Sequence, residues 1–124
     1  MMTIVNSGKL SLGPNAPFSH AVAAGDFLFL SGQIGADATG KLADGMEAQA
    51  EQAIQNIGAI LAEKGIGYEK VVKATCFLTD IGNFAAFNTI YSKYFTGKPA
   101  RSCFAVKDLP LGAEVEVEVI AYLG

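Results

Sequence analysis

The last strand-like stretch of the chain reads Val115-Glu116-Val117-Glu118-Val119-Ile120-Ala121-Tyr122-Leu123. Its first half alternates apolar and acidic residues, and its second half is almost wholly apolar. Alternation puts the two kinds of side chain on opposite faces of a strand, and an apolar end is typical of a strand in the middle of a sheet. We therefore predict that residues 115–123 form a central strand.

The same criteria predict the other elements. Residues 27–32, 71–78 and 101–106 are predicted strands, with residues 21–24 as the hairpin partner of the first and a turn at residues 109–112. Residues 35–45 form a predicted loop that leads into the first helix.

Two segments have helical spacing of their apolar residues. Asp44 and Glu47 resemble a capping box at the start of a helix that Gly65 would end. Aromatic residues from Phe84 to Phe95 recur on one helical face, and Pro99 prevents further helix. The order of elements predicts an α+β fold, a mixed sheet with both helices on one face and the opposite face open.

Composition narrows the class of protein. The 124 residues suit one domain, residues 1–124. Charged residues make up 17%, below the roughly 25% usual for soluble proteins, so we expect apolar surface covered by another copy of the chain. A net charge of −3 argues against nucleic-acid binding.

No segment has the length of a membrane span and no signal peptide is visible, so we expect a cytoplasmic protein with Cys76 and Cys103 as free thiols.

Motifs for the common cofactors and metals are missing. The single histidine, His20, and two cysteines without CxxC spacing provide no metal cluster. The chain contains no GxGxxG, no P-loop and no G-x-S-x-G motif. We therefore expect an activity that needs no metal and no cofactor.

One cation stands out. Arg101 is the only arginine, and it begins an apolar strand on the same face as Cys103. A guanidinium can bind a carboxylate through two parallel hydrogen bonds. The alternative is an ordinary salt bridge at a strand end. Cys103 would need a nearby base to act as a nucleophile, and a small buried thiol is the other interpretation.

Acidic and amide side chains supply further candidates. Glu114, Glu116 and Glu118 share one face of the terminal strand, where a cleft could tune the pKa of one of them; the alternative is a solvated acidic face. Asn88 interrupts the aromatic helix face, so its amide needs a partner such as loop backbone or a ligand.

Several motifs together resemble those of the RidA family, also called YjgF or L-PSP proteins, over nearly the whole chain. They are Ala16-Pro17-Phe18-Ser19-His20-Ala21, Ser31-Gly32-Gln33-Ile34, Asn83-Phe84-Ala85-Ala86-Phe87-Asn88, Pro99-Ala100-Arg101-Ser102-Cys103, and Leu109-Pro110 leading to Val115-Glu116-Val117-Glu118. The resemblance implies a chorismate-mutase-like α+β fold. It also implies a homotrimer with a central barrel of strands, outer helices and three sites between subunits.

The implied activity is hydrolysis of reactive 2-imino or 2-enamino acids to 2-keto acids and ammonia, without a cofactor. Such species leave pyridoxal-phosphate enzymes that dehydrate serine or threonine and damage other such enzymes. The resemblance therefore implies a deaminase of the 2-iminobutanoate/2-iminopropanoate type in metabolite damage control. The preferred imino acid and the enzyme that supplies it are not specified by the sequence.

The resemblance assigns roles to single residues. It makes Arg101 the anchor of the substrate carboxylate, Glu116 the residue that positions water, and Cys103 a site residue that contacts the ligand through its backbone. It places Ser31 and Gly32 in the pocket wall.

Three further positions complete the implied site. Asn88 would support it. Phe18 stands where the family usually has tyrosine, and His20 where it usually has glutamine. Phe18 thus removes a hydroxyl from the pocket and leaves the carboxylate anchor intact.

Three alternatives remain open beside the deaminase. A non-catalytic module that binds or senses a small carboxylate such as a keto acid would also use Arg101. An RNA-cleaving activity has been attached to this family, but the net charge and the absence of a basic stripe argue against it. A holdase would use exposed apolar surface, much of which a closed trimer would bury.

Overall fold

The terminal strand lies in the middle of a seven-stranded sheet, as predicted. The computed structural model describes residues 1–124. The strands are β1 (Met2–Val5), β2 (Ala21–Ala24), β3 (Phe27–Leu30), β4 (Gln33–Ile34), β5 (Val71–Leu78), β6 (Ala100–Ala105) and β7 (Val115–Tyr122). The helices are α1 (Met46–Ala62) and α2 (Phe84–Tyr94), and short 3₁₀ turns occupy Tyr68–Lys70, Ile81–Asn83 and Pro110–Gly112.

The sheet has the order β1-β2-β3-β7-β5-β6, with β4 paired to β7 beside β3. All neighbouring strands are antiparallel except β5 and β6, which are parallel and joined through α2. Parallel neighbours need such a crossover, and it lays α2 beside the edge strand β6. Cys76 of β5 lies opposite Cys103 of β6 and Val117 of β7, which fixes the register across the sheet.

Both helices cover one face of the sheet, which confirms the predicted arrangement. Buried positions alternate along β7, and its buried side chains join those of both helices in one core cluster. The apolar residues with helical spacing in α1 are all buried: Met46, Ala50, Ala53, Ile54, Ile57, Ile60 and Leu61. The period-3.6 pattern of α1 and the period-2 pattern of β7 therefore face each other across the core.

The predicted capping box of α1 is wrong. The N-cap is Gly45, and no side chain caps the helix. Gly45 has φ 87° and ψ 158°, a conformation that glycine adopts far more readily than other residues. Asp44 thus lies one residue before the cap. The predicted end is close to the observed one, since α1 stops at Ala62 and Gly65 follows with φ +69°.

The sequence patterns did not indicate β1 or β4. β4 has only two residues, and β1 gains its hydrogen-bonding partners from β2. The predicted strand at residues 101–106 is observed one residue earlier, at Ala100–Ala105.

The sheet face opposite the helices carries many apolar side chains, as expected. None of the apolar residues of this open face is buried, and they are Met2, Ile4, Phe27, Phe29, Phe77, Phe104, Ile120 and Tyr122. Phe29 is 44% exposed and Phe104 is also 44% exposed. An apolar surface of this extent is typical of a protein interface. Neither helix has the length and apolar character that a bilayer crossing requires.

Candidate functional site

The predicted site residues lie in two separate groups. Arg101, Asn88 and Cys103 lie between β6 and α2, and we call them the Arg101 cluster. Phe18, Ser31, Gly32 and Glu116 line a cavity at the other side of β7, which we call the Glu116 cavity.

The Arg101 guanidinium is held in place by α2. Its Nη1 donates a hydrogen bond to Asn88 Oδ1 at 2.7 Å. Its central carbon lies 4.7 Å from the ring centroid of Tyr91 and 5.5 Å from that of Phe84. Phe84, Asn88 and Tyr91 are spaced four and three residues apart, so they share one face of α2. The side chain of Arg101 is therefore preorganised by one hydrogen bond and two aromatic rings.

No acidic side chain pairs with Arg101. The one ion pair in the chain joins Lys93 and Glu51. The alternative prediction, an ordinary salt bridge of Arg101 at the strand end, is therefore wrong. A guanidinium has five N–H donors, and Asn88 accepts from one of its nitrogens. The remaining donors are available to a planar anion such as a carboxylate.

Tyr91 packs against the Arg101 cluster, although its sequence position indicated only an aromatic helix face. Its hydroxyl is buried without a hydrogen-bond partner, and burial raises its pKa to about 12. The hydroxyl therefore stays protonated near neutral pH, and the ring face is the part of Tyr91 that contacts Arg101. Its position three residues after Asn88 was the signal that could have found it.

The cysteines are free and unsuited to nucleophilic attack. Cys76 is a free thiol, as predicted, and it is fully buried, which raises its pKa to about 12. Burial also raises the pKa of the Cys103 thiol, and the nearby Arg101 charge offsets this only in part. Because the thiolate is the reactive form, the geometry favours a packing role for both sulfurs.

His20 serves the structure of the adjoining chain segment. Its Nδ1 accepts from the backbone N–H of Ser7 at 2.9 Å, and its Nε2 lies 3.2 Å from the carbonyl oxygen of Ser11. These contacts require the neutral tautomer with a proton on Nε2. His20 thereby ties residues 7–11 to the wall of the Glu116 cavity.

The Glu116 cavity has a volume of about 490 Å³ and opens to solvent. The β4–β7 register places Ile34 opposite Glu116, and the preceding Gly32 lies directly against the carboxylate. A side chain at position 32 would collide with Glu116 Oε2, so glycine permits this close approach. Three further lining residues, which no sequence pattern indicated, come from distant segments: Leu10, Leu12 and Leu111.

The Glu116 carboxyl is half-buried and accepts no hydrogen bond from the protein. Burial raises the pKa of Glu116, and the neighbouring Glu118 charge raises it further. This confirms the expectation that one glutamate of the terminal strand lies at a cleft. A carboxyl with a raised pKa at a cavity wall is suited to proton transfer.

Within one chain the two groups do not meet. β5 separates β6 from β7, so two strand spacings of about 4.8 Å place these strands roughly 10 Å apart. Arg101 faces α2, whereas Glu116 alternates with the buried residues of β7 and faces the opposite side of the sheet. Each group therefore presents an unpaired charge of opposite sign, on a different part of the surface.

Comparison with known proteins agrees with this fold. The family model described as Endoribonuclease L-PSP matches residues 8–123. A RutC family protein of Aquifex aeolicus is 48% identical over 112 residues, which cover 87% of this chain and 90% of the relative. The goat protein named 2-iminobutanoate/2-iminopropanoate deaminase is 44% identical over 111 residues, which cover 87% of this chain and 81% of the relative.

Solved structures give the same result. E. coli TdcF, solved with bound serine, superposes with a TM-score of 0.89 at 31% identity, covering 97% of this chain and 98% of TdcF. The family-model match over residues 8–123 includes both the N-terminal segment that carries Phe18 and the terminal strand that carries Glu116. On this evidence the chain belongs to the RidA family, also called the YjgF or L-PSP family, and has its α+β fold.

Proposed function

We propose that the protein hydrolyses reactive 2-imino and 2-enamino acids to 2-keto acids and ammonia. The observation that carries the proposal is the Arg101 guanidinium, which is fixed by Asn88 and two rings and has no acidic partner. A small 2-imino acid offers the carboxylate that such a guanidinium binds. The name of the goat relative and the serine in the TdcF structure support this substrate class.

We propose that the protein acts as a homotrimer with three sites between subunits. The apolar open face needs a cover, and a second copy of the chain supplies an apolar face of the same kind. In this arrangement the Arg101 cluster of one copy meets the Glu116 cavity of the next. Its proposed location is the cytoplasm, in keeping with two free cysteines.

The proposed reaction begins when Arg101 binds the substrate carboxylate through two parallel hydrogen bonds. Glu116 accepts a proton from water as the water oxygen bonds to the carbon of the protonated imine and the C=N electron pair moves to nitrogen, which gives a neutral amino group. Glu116 then returns this proton to nitrogen, the C–N bond breaks, and its electron pair leaves with ammonia. The hydroxyl oxygen forms the C=O bond of the 2-keto acid, and its proton passes to solvent. Fixing an already reactive imine beside water supplies much of the acceleration.

The other predicted residues shape this site in the proposal. Phe18, Ser31 and Gly32 form the wall beside Glu116. Asn88 holds Arg101 in position, and Cys103 contributes backbone rather than its thiol.

A direct test couples the purified protein to a threonine dehydratase and follows imine decay by trapping with semicarbazide. We expect the protein to shorten the lifetime of 2-iminobutanoate and to increase the rate of ammonia release. A second candidate, a non-catalytic module for small carboxylates, is consistent with the serine bound to TdcF. It predicts saturable binding of a keto acid with no change in imine lifetime.

The pH profile of the reaction should follow the carboxyl of Glu116. Its charged form accepts the proton from water, so kcat/KM should rise as pH increases through a pKa that lies above the ordinary 4.5. Because Glu118 raises that pKa, Glu118→Gln should lower it and move the acid limb to lower pH. Steady-state rates of both proteins across pH 4–8 measure the shift. An unchanged or upward-shifted acid limb in Glu118→Gln would contradict the assignment of that limb to Glu116.

The assembly proposal predicts that Phe29→Glu breaks the trimer. Phe29 lies in the centre of the open face, and burying an unpaired carboxylate there would cost several kcal/mol. Analytical ultracentrifugation should give about three chain masses for the wild type and one for the variant, with loss of imine hydrolysis. Ile81→Glu, at an exposed position in the turn before α2, is the control and should remain trimeric. A monomeric wild type would refute the trimer.

A further inference from the structure

The ring of Tyr91, over which the Arg101 guanidinium lies, is itself fixed by other rings of α2. Phe95, four residues further along the chain, stacks on it with centroids 4.5 Å apart and planes 26° apart. Phe87 contacts it with a centroid distance of 5.8 Å. Both Tyr91 and Phe95 are buried in the core of the chain, so the Tyr91 ring has little freedom to move away from the guanidinium.

The stack continues from Phe95 to the other helix. Tyr68, in the short turn before β5, meets the Phe95 ring edge-on with centroids 5.3 Å apart. Its hydroxyl donates a hydrogen bond to the backbone carbonyl oxygen of Ile54 in α1 at 2.8 Å. Burial raises the pKa of Tyr68 to about 12, so this hydroxyl remains a donor at neutral pH. One end of the stack is therefore fixed to the backbone of α1.

Gly58 allows the Tyr68 hydroxyl to reach that backbone. It lies within α1, where glycine is less favourable than alanine. A Cβ at position 58 would collide with the hydroxyl oxygen of Tyr68. The glycine therefore has a packing reason that helix propensity does not supply.

The hydroxyl of Tyr91 has no part in these contacts. It is buried without a hydrogen-bond partner in the chain, and a buried donor without a partner destabilises a fold. The ring is thus the part of Tyr91 that the arrangement uses.

Asn88 and the rings restrain the guanidinium in different ways. The single hydrogen bond from Nη1 to Asn88 fixes one corner of the guanidinium and leaves its plane free to rotate about that bond. The ring faces of Tyr91 and Phe84 limit that rotation. Two parallel hydrogen bonds to a carboxylate need a defined plane.

We propose that three aromatic side chains, Tyr68, Phe95 and Tyr91, position the Arg101 guanidinium for the substrate carboxylate. We call these three the aromatic stack. Its members are positioning residues: Tyr91 acts on Arg101 directly, and Phe95 and Tyr68 act through Tyr91. The inference rests on the proposed function, because it adds residues to the proposed carboxylate anchor. All of its contacts form within one chain, so it does not depend on what covers the open face.

An NMR experiment on isotope-labelled protein tests the contact directly. Arg101 is the only arginine, so its side-chain N–H signals are assigned without ambiguity. An aromatic ring shields protons that lie over its face, so these signals should lie upfield in the wild type. They should stay there in Tyr91→Phe, which keeps the ring. They should move downfield in Tyr91→Met and in Phe95→Leu, which remove a ring and keep an apolar side chain.

Kinetics test what the contact does. The carboxylate is held before and during the reaction, so loss of positioning should appear in KM and not in kcat. Tyr91→Met should raise KM for 2-iminobutanoate about 3- to 10-fold, and Phe95→Leu about 2- to 5-fold. In both, kcat and the acid limb of the pH profile should match the wild type. Tyr91→Phe should restore the wild-type KM, with a melting temperature at or above that of the wild type.

Gly58→Ala tests the distant end of the stack. Helix propensity alone would stabilise this variant and leave the site unchanged. Displacement of Tyr68 should instead raise KM about 2- to 5-fold and shift the Arg101 signals. Gly58→Ala and Phe95→Leu answer the same question if Tyr91→Met does not fold.

Leu28→Ala is the control for a general loss of core packing. Leu28 is fully buried in β3, and two strands separate β3 from β6. The variant should lower the melting temperature at least as much as Phe95→Leu does. Its KM and its Arg101 signals should be those of the wild type.

The outcomes separate this inference from the proposed function. Wild-type Arg101 signals and wild-type KM in the folded stack variants refute the positioning role and leave the deaminase in place. An equal rise of KM in Leu28→Ala also refutes it, because loss of packing would then explain the effect. A wild type that accelerates the decay of no imine refutes the deaminase. The Arg101 signals and the affinity for 2-oxobutanoate, measured by calorimetry, then decide the positioning role alone.

Discussion

Arg101→Ala should lower kcat/KM for imine hydrolysis by about two to four orders of magnitude. Hydrogen bonds to charged groups contribute about 1.5–3 kcal/mol each, and the proposed carboxylate contact contains two of them. Binding and turnover should be lost together, because the same contact holds the substrate before and during the reaction. Imine lifetimes with wild type and variant, measured by semicarbazide trapping, give the ratio directly.

Two further variants make this result specific. Arg101→Lys keeps the charge and loses the planar fork, so it should restore little of the activity. Lys107→Ala removes an exposed cation just beyond β6 and should behave as the wild type. Circular dichroism melts would show that the variants are folded. Full activity in a folded Arg101→Ala variant would exclude Arg101 as the carboxylate anchor.

Glu116→Gln should separate binding from catalysis. The amide has nearly the shape of the carboxyl but cannot accept the proton from water, so kcat should fall by about 10²- to 10⁴-fold. The Arg101 cluster is untouched, so calorimetry should find the affinity for a product keto acid such as 2-oxobutanoate close to that of the wild type.

Glu118→Gln is the matched control, two residues along the same face of β7. It should shift the pH profile and keep most of the activity at neutral pH. A Glu116→Gln enzyme with wild-type kcat would remove Glu116 from the mechanism. Binding without any imine hydrolysis, in the wild type as well, would favour the small-carboxylate module over the enzyme.

Long, strongly periodic segments were predictable from the sequence. The alternation in β7 and the helical spacing in α1 each create one apolar face. Because such a face must be buried in the core, the spacing determines both the type of element and the side that it turns inward. The predicted start of α1 was wrong by one residue. Asp44 has a side chain that can accept the capping hydrogen bond, but the N-cap conformation is adopted by Gly45, which has no side chain. The strands β1 and β4 are too short to show a period, and their partners are distant in sequence.

The candidate site was predictable in its residues and not in its arrangement. Alternation alone shows that Arg101 and Cys103 share a face, and that Glu116 and Glu118 share another. Only the crossover through α2 decides that Arg101 points to the helices while Glu116 points away from them. The spacing of Tyr91 from Asn88 places both on one helix face, but its contact with the Arg101 guanidinium forms only in the folded chain. Leu111 was missed because its left-handed backbone, with φ 60°, has no signal in the sequence.

The separation of Arg101 from Glu116 within one chain has a consequence for how the proposed enzyme responds to its own abundance. If each site takes its two charges from different copies, a dissociated chain has no complete site. The activity per chain then decreases when the protein concentration falls below the dissociation constant of the assembly. By mass action, a ligand that bridges the two copies holds them together. Substrate would then stabilise the oligomer that consumes it, and both assembly and turnover would rise when the reactive imine accumulates.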